Sequence, residues 1–147
     1  QELIDFIDRT KNEFFKLPPE EVSFPRGISD VLKYQDQKTI YKKDVSVPMN
    51  ARATLLYNHH IKDKKLLNKY PLIRSGEKIK YCYLKMPNPI KENVIAFVQR
   101  FPKELGLNEY VDYNLQFEKT FLNPLRPILS IIGWEEKQTN SLDNFFL

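Results

Sequence analysis

Two histidines, His59 and His60, and one cysteine, Cys82, are the side chains best suited to metal or nucleophilic chemistry. Neighbouring positions of a helix point about 100° apart, so His59 and His60 cannot serve one metal ion in the usual i, i+4 manner. The sequence has no Walker loop, no GxGxxG, no GxSxG and no Cys-x-x-Cys, and it places no base beside Cys82. Acidic residues are plentiful, but no pair sits inside an apolar strand as a two-metal carboxylate site requires. We therefore expect no catalytic and no metal-ligating residue here, and look to binding chemistry instead.

Charge carries the first binding indication. The net charge is only +4, yet residues 33–103 hold sixteen Lys/Arg against five Asp/Glu, whereas 1–32 hold four against seven and 104–147 three against seven. A basic block between acidic ends attracts polyanions, of which nucleic acid is the commonest. The bland alternative is a lysine-rich solvated surface. The second indication is the ending "SLDNFFL", where Leu142, Phe145 and Phe146 form a one-turn apolar triad behind the polar stretch "EEKQTN". Aromatic anchors of this kind enter pockets on partners, or fold back onto their own core.

These residues need elements to position them. "ELIDFIDRTKNEFFKL" places Leu3, Ile4, Phe6, Ile7, Phe14 and Phe15 at helical spacing, with Pro18 and Pro19 ending the helix. A turn is expected at Pro25–Arg26–Gly27, and a second helix from Asn50 to Tyr70. On that helix Leu55, Leu56, His59, Leu66, Leu67 and Tyr70 share one face. "KIKYCYLKM" alternates as a strand, "PNP" at residues 87–89 breaks it, and "NVIAFVQRF" reads as a partner strand buried on both faces. The stretch "NLQFEKTFLNPLRPILSIIGW" reads as a helix interrupted at Pro124 and Pro127. Together these predict an α+β fold, with a mainly helical body, a small antiparallel sheet around 76–101 and a flexible C-terminal tail. The expected organisation is one domain over 1–134 and a tail over 135–147. No apolar run approaches the ~20 residues of a membrane span. The start at Gln1, with no export-signal pattern after it, points to a piece of a longer chain. The lone cysteine suits a reducing compartment.

Three ordered motifs carry a resemblance. "VPMNARATLLYN" is similar, through Pro48, Arg52, Leu55 or Leu56, Tyr57 and Asn58, to a Pro, His-x-Arg, Leu-x-Tyr-Asn segment, with Asn50 in place of the histidine. "GEKIKYCYLKMPNP" resembles a Gly-Glu-Lys strand followed by an Asn-Pro turn, and "VDYNLQFEKTFLNPLRPIL" an Asp-Tyr, Glu-Lys-Thr-Phe, Pro-Leu stretch. The order, from about Val22 onward, resembles the thumb domain and tail of the replicative family B DNA polymerases of T-even-like bacteriophages.

That resemblance implies a thumb that grips primer-template duplex DNA through phosphates, lysine being suited to contacts that carry no base information. The implied DNA-binding residues are Arg52, Lys62, Lys64, Lys65 and Arg74, then Lys78, Lys80 and Lys85 from the strand, with Arg26 on its turn. It further implies that Leu142, Phe145, Phe146 and Leu147 bind a sliding clamp, although Gln138 stands one position further from Leu142 than in the common clamp-binding peptide. The remaining polymerase domains would be the third partner. Catalysis and its Mg2+ would lie in a palm outside this sequence, so the piece would hold no cofactor and be inactive alone. Its compartment would be the host bacterial cytoplasm, with no membrane partner. Two other readings stand beside it. One is a single-stranded DNA or RNA adaptor stacking bases on Tyr81 and Tyr83, and the other a protein-interaction module without nucleic acid.

Overall fold

Helix α1 spans Glu2–Phe15, and Glu2 and Asp5 in its first turn complement the helix dipole. It stops before Pro18, and Pro19 opens a further short helix, α2 (Pro19–Val22), at the first position, where a missing N–H is tolerated. Strand β1 (Phe24–Gly27), helix α3 (Met49–Asp63), strands β2 (Lys78–Tyr83) and β3 (Val94–Phe97), and helices α4 (Tyr113–Phe117) and α5 (Asn123–Ile131) follow. A π-helical turn, Glu118–Leu122, joins α4 to α5. The computed structural model describes residues 1–28 and 47–131. The fold class is α+β, as the sequence predicts. The expected tail 135–147, with Leu142, Phe145, Phe146 and Leu147, lies outside the described residues.

The chain divides into two compact units, one of residues Lys16–Asp112 and one of the two chain ends. In the unit of the ends, Ile7, Phe117 and Leu122 form the buried centre, and Leu3, Ile4, Phe14 and Phe121 pack around it. Phe117 and Phe121 stack with ring centroids 5.1 Å apart, and Phe14 meets Phe117 edge-on at 5.4 Å. The apolar positions of α1 thus divide: Phe6 and Phe15 stay 49% and 40% exposed.

The sequence places breaks at Pro124 and Pro127, but the helical run is continuous from Tyr113 to Ile131. Pro124 cannot donate to the carbonyl four residues back. The chain accommodates this just before the proline, where the Asn123 N–H donates to the Glu118 carbonyl in the i→i−5 pattern of a π turn. Pro127 lies inside α5.

In the unit Lys16–Asp112 the three strands form an antiparallel sheet in the order β1-β2-β3. Phe24 faces Tyr81 and Gly27 faces Lys78, while Lys80 faces Phe97 and Tyr83 faces Val94. Val94, Ile95, Ala96 and Phe97 are all fully buried, as their uninterrupted apolar run predicts. Helix α3 packs on β3 and β2, burying Ala53, Leu56, Tyr57 and Ile61.

Two local expectations give way here. Pro25–Gly27 is not a turn but part of β1, where alternation of the ladder explains the proline. Ile28 donates to Glu77 at 2.9 Å, so Arg26 and Phe24 face β2 and Pro25 falls on an outward position that needs no donor. The second helix ends at Asp63 rather than running to Tyr70. Lys65 adopts φ 57°, and the Leu66 N–H donates to the Ile61 carbonyl at 2.9 Å, closing the helix with a Schellman motif.

Candidate nucleic-acid interface

Lys62, Lys64 and Lys65 stand exposed at the C-terminal end of α3, where the dipole favours cations. The Lys64 N–H donates to the His60 carbonyl at 3.0 Å and the Lys65 N–H to the Lys62 carbonyl at 3.1 Å, so the backbone that carries these ammonium groups is fixed. Just before them, His59 is exposed and His60 half-buried, their rings edge-on at 4.9 Å. Burial, then the neighbouring His59, lowers the pKa of His60.

The segment that leads to Arg74 is held to α3 by two side chains. The Tyr57 hydroxyl donates to the Pro71 carbonyl at 2.9 Å, and burial raises its pKa to about 12. Asn58 takes both backbone groups of Ile73: its amide donates to the Ile73 carbonyl at 3.0 Å and its oxygen accepts from the Ile73 N–H at 2.8 Å. A turn follows, with Gly76 at φ 91° and the Glu77 N–H donating to the Arg74 carbonyl at 3.2 Å. Since Glu77 also accepts from Ile28 and Lys78 faces Gly27, this geometry places Arg26, Arg74 and Lys78 at the same end of the β1–β2 pair, with Arg26 and Lys78 on opposite faces of the sheet. All three are exposed.

The sheet separates both β2 lysines, Lys78 and Lys80, from Arg26. Arg26 lies opposite Ile79 and its guanidinium sits 6.0 Å from the Tyr81 ring, whereas Lys78 and Lys80 alternate to the other face. The Lys80 ammonium donates to the Glu20 carbonyl on α2 at 2.8 Å. On that same face Cys82 is fully buried, and burial pushes its thiol up to about 12 against the opposing hydrogen bond of Ser23. Such a thiol is inert.

Arg52 is placed differently from the exposed lysines. Its guanidinium forms an ion pair with Glu92 and donates to the Asn93 side chain at 2.7 Å, tying α3 to the β2–β3 connection. Asn88, 7% exposed, orders that connection by donating to the carbonyls of Lys85 and Glu92, at 2.8 and 2.7 Å, and accepting from the Ile90 N–H at 3.1 Å. Lys85 projects from it, exposed. Tyr81 is 8% exposed and packs against Phe24 at 5.4 Å and Tyr83 at 6.1 Å, so its ring is committed to the protein interior.

Two cations that sequence reasoning passes over come together beside α3. Lys69 and Arg100 line a cleft of about 210 Å³ with Tyr57, Tyr70 and Gln99. Nothing in the local sequence joins them. The turn after α3 and the end of β3 bring them to one place. Their neighbour Glu104 accepts from the Tyr70 hydroxyl at 2.6 Å and lies 3.5 Å from the Lys69 ammonium. The Tyr70 hydrogen bond is the main reason the Glu104 carboxyl titrates below its ordinary range.

The chain is 23% identical over 146 residues to the DNA-directed DNA polymerase of Enterobacteria phage T4, over 97% of its own length. It is distantly similar to part of a phage DNA polymerase. The chain spans 16% of that polymerase's length. No protein-family model matches it. Of the motif residues that carry the resemblance, Arg52, Tyr57, Asn58 and Asn88 are scaffold groups that fix loops, and the Glu-Lys-Thr-Phe stretch coincides with the π turn Glu118–Leu122. Among the described residues no helix is long and apolar enough to cross a membrane.

Proposed function

We propose that this chain is the thumb portion of a family B replicative DNA polymerase, gripping primer-template duplex through phosphates, and that its C-terminal residues tether the enzyme to a sliding clamp. The observation that carries the reading is the similarity to a phage DNA polymerase along 97% of the chain. The exposure of Lys62, Lys64, Lys65, Arg74, Lys78 and Lys85 supports it, because ammonium and guanidinium groups in water meet phosphate without first breaking an internal pair, while Arg26, also exposed, donates to the Pro25 carbonyl at 2.7 Å. Lys80 and Arg52 are secondary contacts in this reading, since both already serve the protein's own structure. The burial of Tyr81 disfavours the single-strand adaptor, which needs an open ring.

The mechanism joins two modest attachments on one polypeptide. When duplex slips from the basic residues, the clamp-bound tail keeps the enzyme at high local concentration near the primer end, and the reverse holds when the tail lets go. The polymerising metal ions belong to another part of the parent enzyme, and this chain contributes grip and tether. If about five phosphates are engaged, log affinity for duplex falls against log salt with a slope of about −4.5. Anisotropy titrations of a labelled primer-template at several salt concentrations test this. A flat response, or tighter binding to unpaired strands than to duplex, overturns the reading.

A further inference from the structure

We propose that the cleft between the turn after α3 and the end of β3 binds a phosphate group, with Arg100 and Lys69 as its principal ligands. The Arg100 guanidinium lies over the Tyr70 ring, 5.4 Å from its centroid, within cation–π reach. Among the described residues no hydrogen bond or ion pair occupies its N–H donors, so its fork is unspent. Tyr70 is itself buried, 7% exposed, with its hydroxyl donating to Glu104 at 2.6 Å.

Lys69 is the second cation of the cleft. Lys69 is held loosely, 3.5 Å from Glu104 and with its side chain 58% exposed, so its ammonium can turn toward an incoming anion without losing its counter-charge. The two cations and the single carboxylate leave one net positive charge at the cleft, and the Gln99 amide adds a neutral donor or acceptor at the rim. Two cationic donors and an amide around about 210 Å³ offer more partners than a carboxylate needs, since one guanidinium fork satisfies it, and suit the additional oxygens of a phosphate. The Tyr57 hydroxyl, already donating to Pro71, serves as wall rather than ligand.

The phosphate has two possible sources, a backbone phosphodiester of nucleic acid or a free phosphate. The first rests on the function proposed above and would add a contact outside the residues assigned from sequence. The decisive variant is Lys69→Gln/Arg100→Gln, compared with Lys16→Gln/Lys91→Gln, which removes two exposed charges elsewhere in the same unit. On duplex DNA the cleft variant should bind about tenfold more weakly, with a salt slope shallower by about 1 to 2, while the control changes little. In parallel, the Arg100 Nε–H resonance of the unaltered chain is followed as potassium phosphate replaces chloride at constant ionic strength. A saturable shift, weakened in Lys69→Gln, is expected. If the unaltered chain binds duplex and the cleft variant matches the control, the duplex assignment of the cleft is overturned and the thumb reading stands. If the unaltered chain does not bind duplex, the thumb reading falls and the phosphate titration alone decides. A saturable shift then keeps the cleft as a free-phosphate site, and a linear or absent one overturns it.

Discussion

Asn58 satisfies the N–H and the carbonyl of Ile73 with one side chain, and Ile73 is 3% exposed, so no solvent waits to replace either bond. Asn58→Ala should cost about 2 kcal/mol in stability, because two backbone groups lose their partners where water is scarce. Urea unfolding followed by circular dichroism checks this, and Asn58→Asp should also destabilise, since a carboxylate can accept from Ile73 but not donate to it. Arg52 shows the limit of reading such residues from sequence. As a lone arginine on a helix it looks available to an external anion, but Glu92, forty positions along the chain, already neutralises it. Lys69 and Arg100 show the converse, being unremarkable in sequence until the fold sets them around one cleft.

At the scale of elements, α3 ends on a residue unsuited to its backbone. Lys65 occupies the left-handed position of the Schellman motif at φ 57°, where a Cβ carries a steric penalty that glycine avoids. Lys65→Gly should therefore raise the stability of this unit by about 1 kcal/mol, read as a higher thermal midpoint, while removing one candidate phosphate contact. The same residue explains why the helix end is not legible in sequence: with no glycine or asparagine there, apolar spacing continues through Leu66 and Leu67 toward Tyr70. The elements that are legible owe it to burial that matches a simple period. Leu3, Ile4 and Ile7 give α1, and the unbroken Val94–Phe97 run gives β3. Strand β1 and the π turn escape because each is defined by hydrogen bonds to distant or offset partners, not by side-chain pattern.

At the scale of the molecule, the proposed function depends on two attachments that should fail separately. In an intact polymerase carrying this chain, Phe145→Ala/Phe146→Ala should abolish stimulation of primer extension by the sliding clamp, while extension without clamp stays near that of the unaltered enzyme. Processivity assays on long templates with and without clamp distinguish these outcomes, and full clamp response in the variant would dismiss the tether. Replacing the α3 lysines should weaken extension under both conditions. The basic block was visible in sequence as a bias in composition, but the division of its members was not. Some stand in water, Lys80 holds a helix carbonyl, and Arg52 is matched internally.

One small feature of the sheet bears on how this protein behaves among its own copies. In β1 the outward backbone positions are Pro25, which has no hydrogen to offer, and Gly27, and the strand is only four residues long. A foreign strand arriving at that rim would find one of its two outward donors missing. Pro25 thus interrupts the row of donors along the outer side of β1, the strand that also carries Arg26.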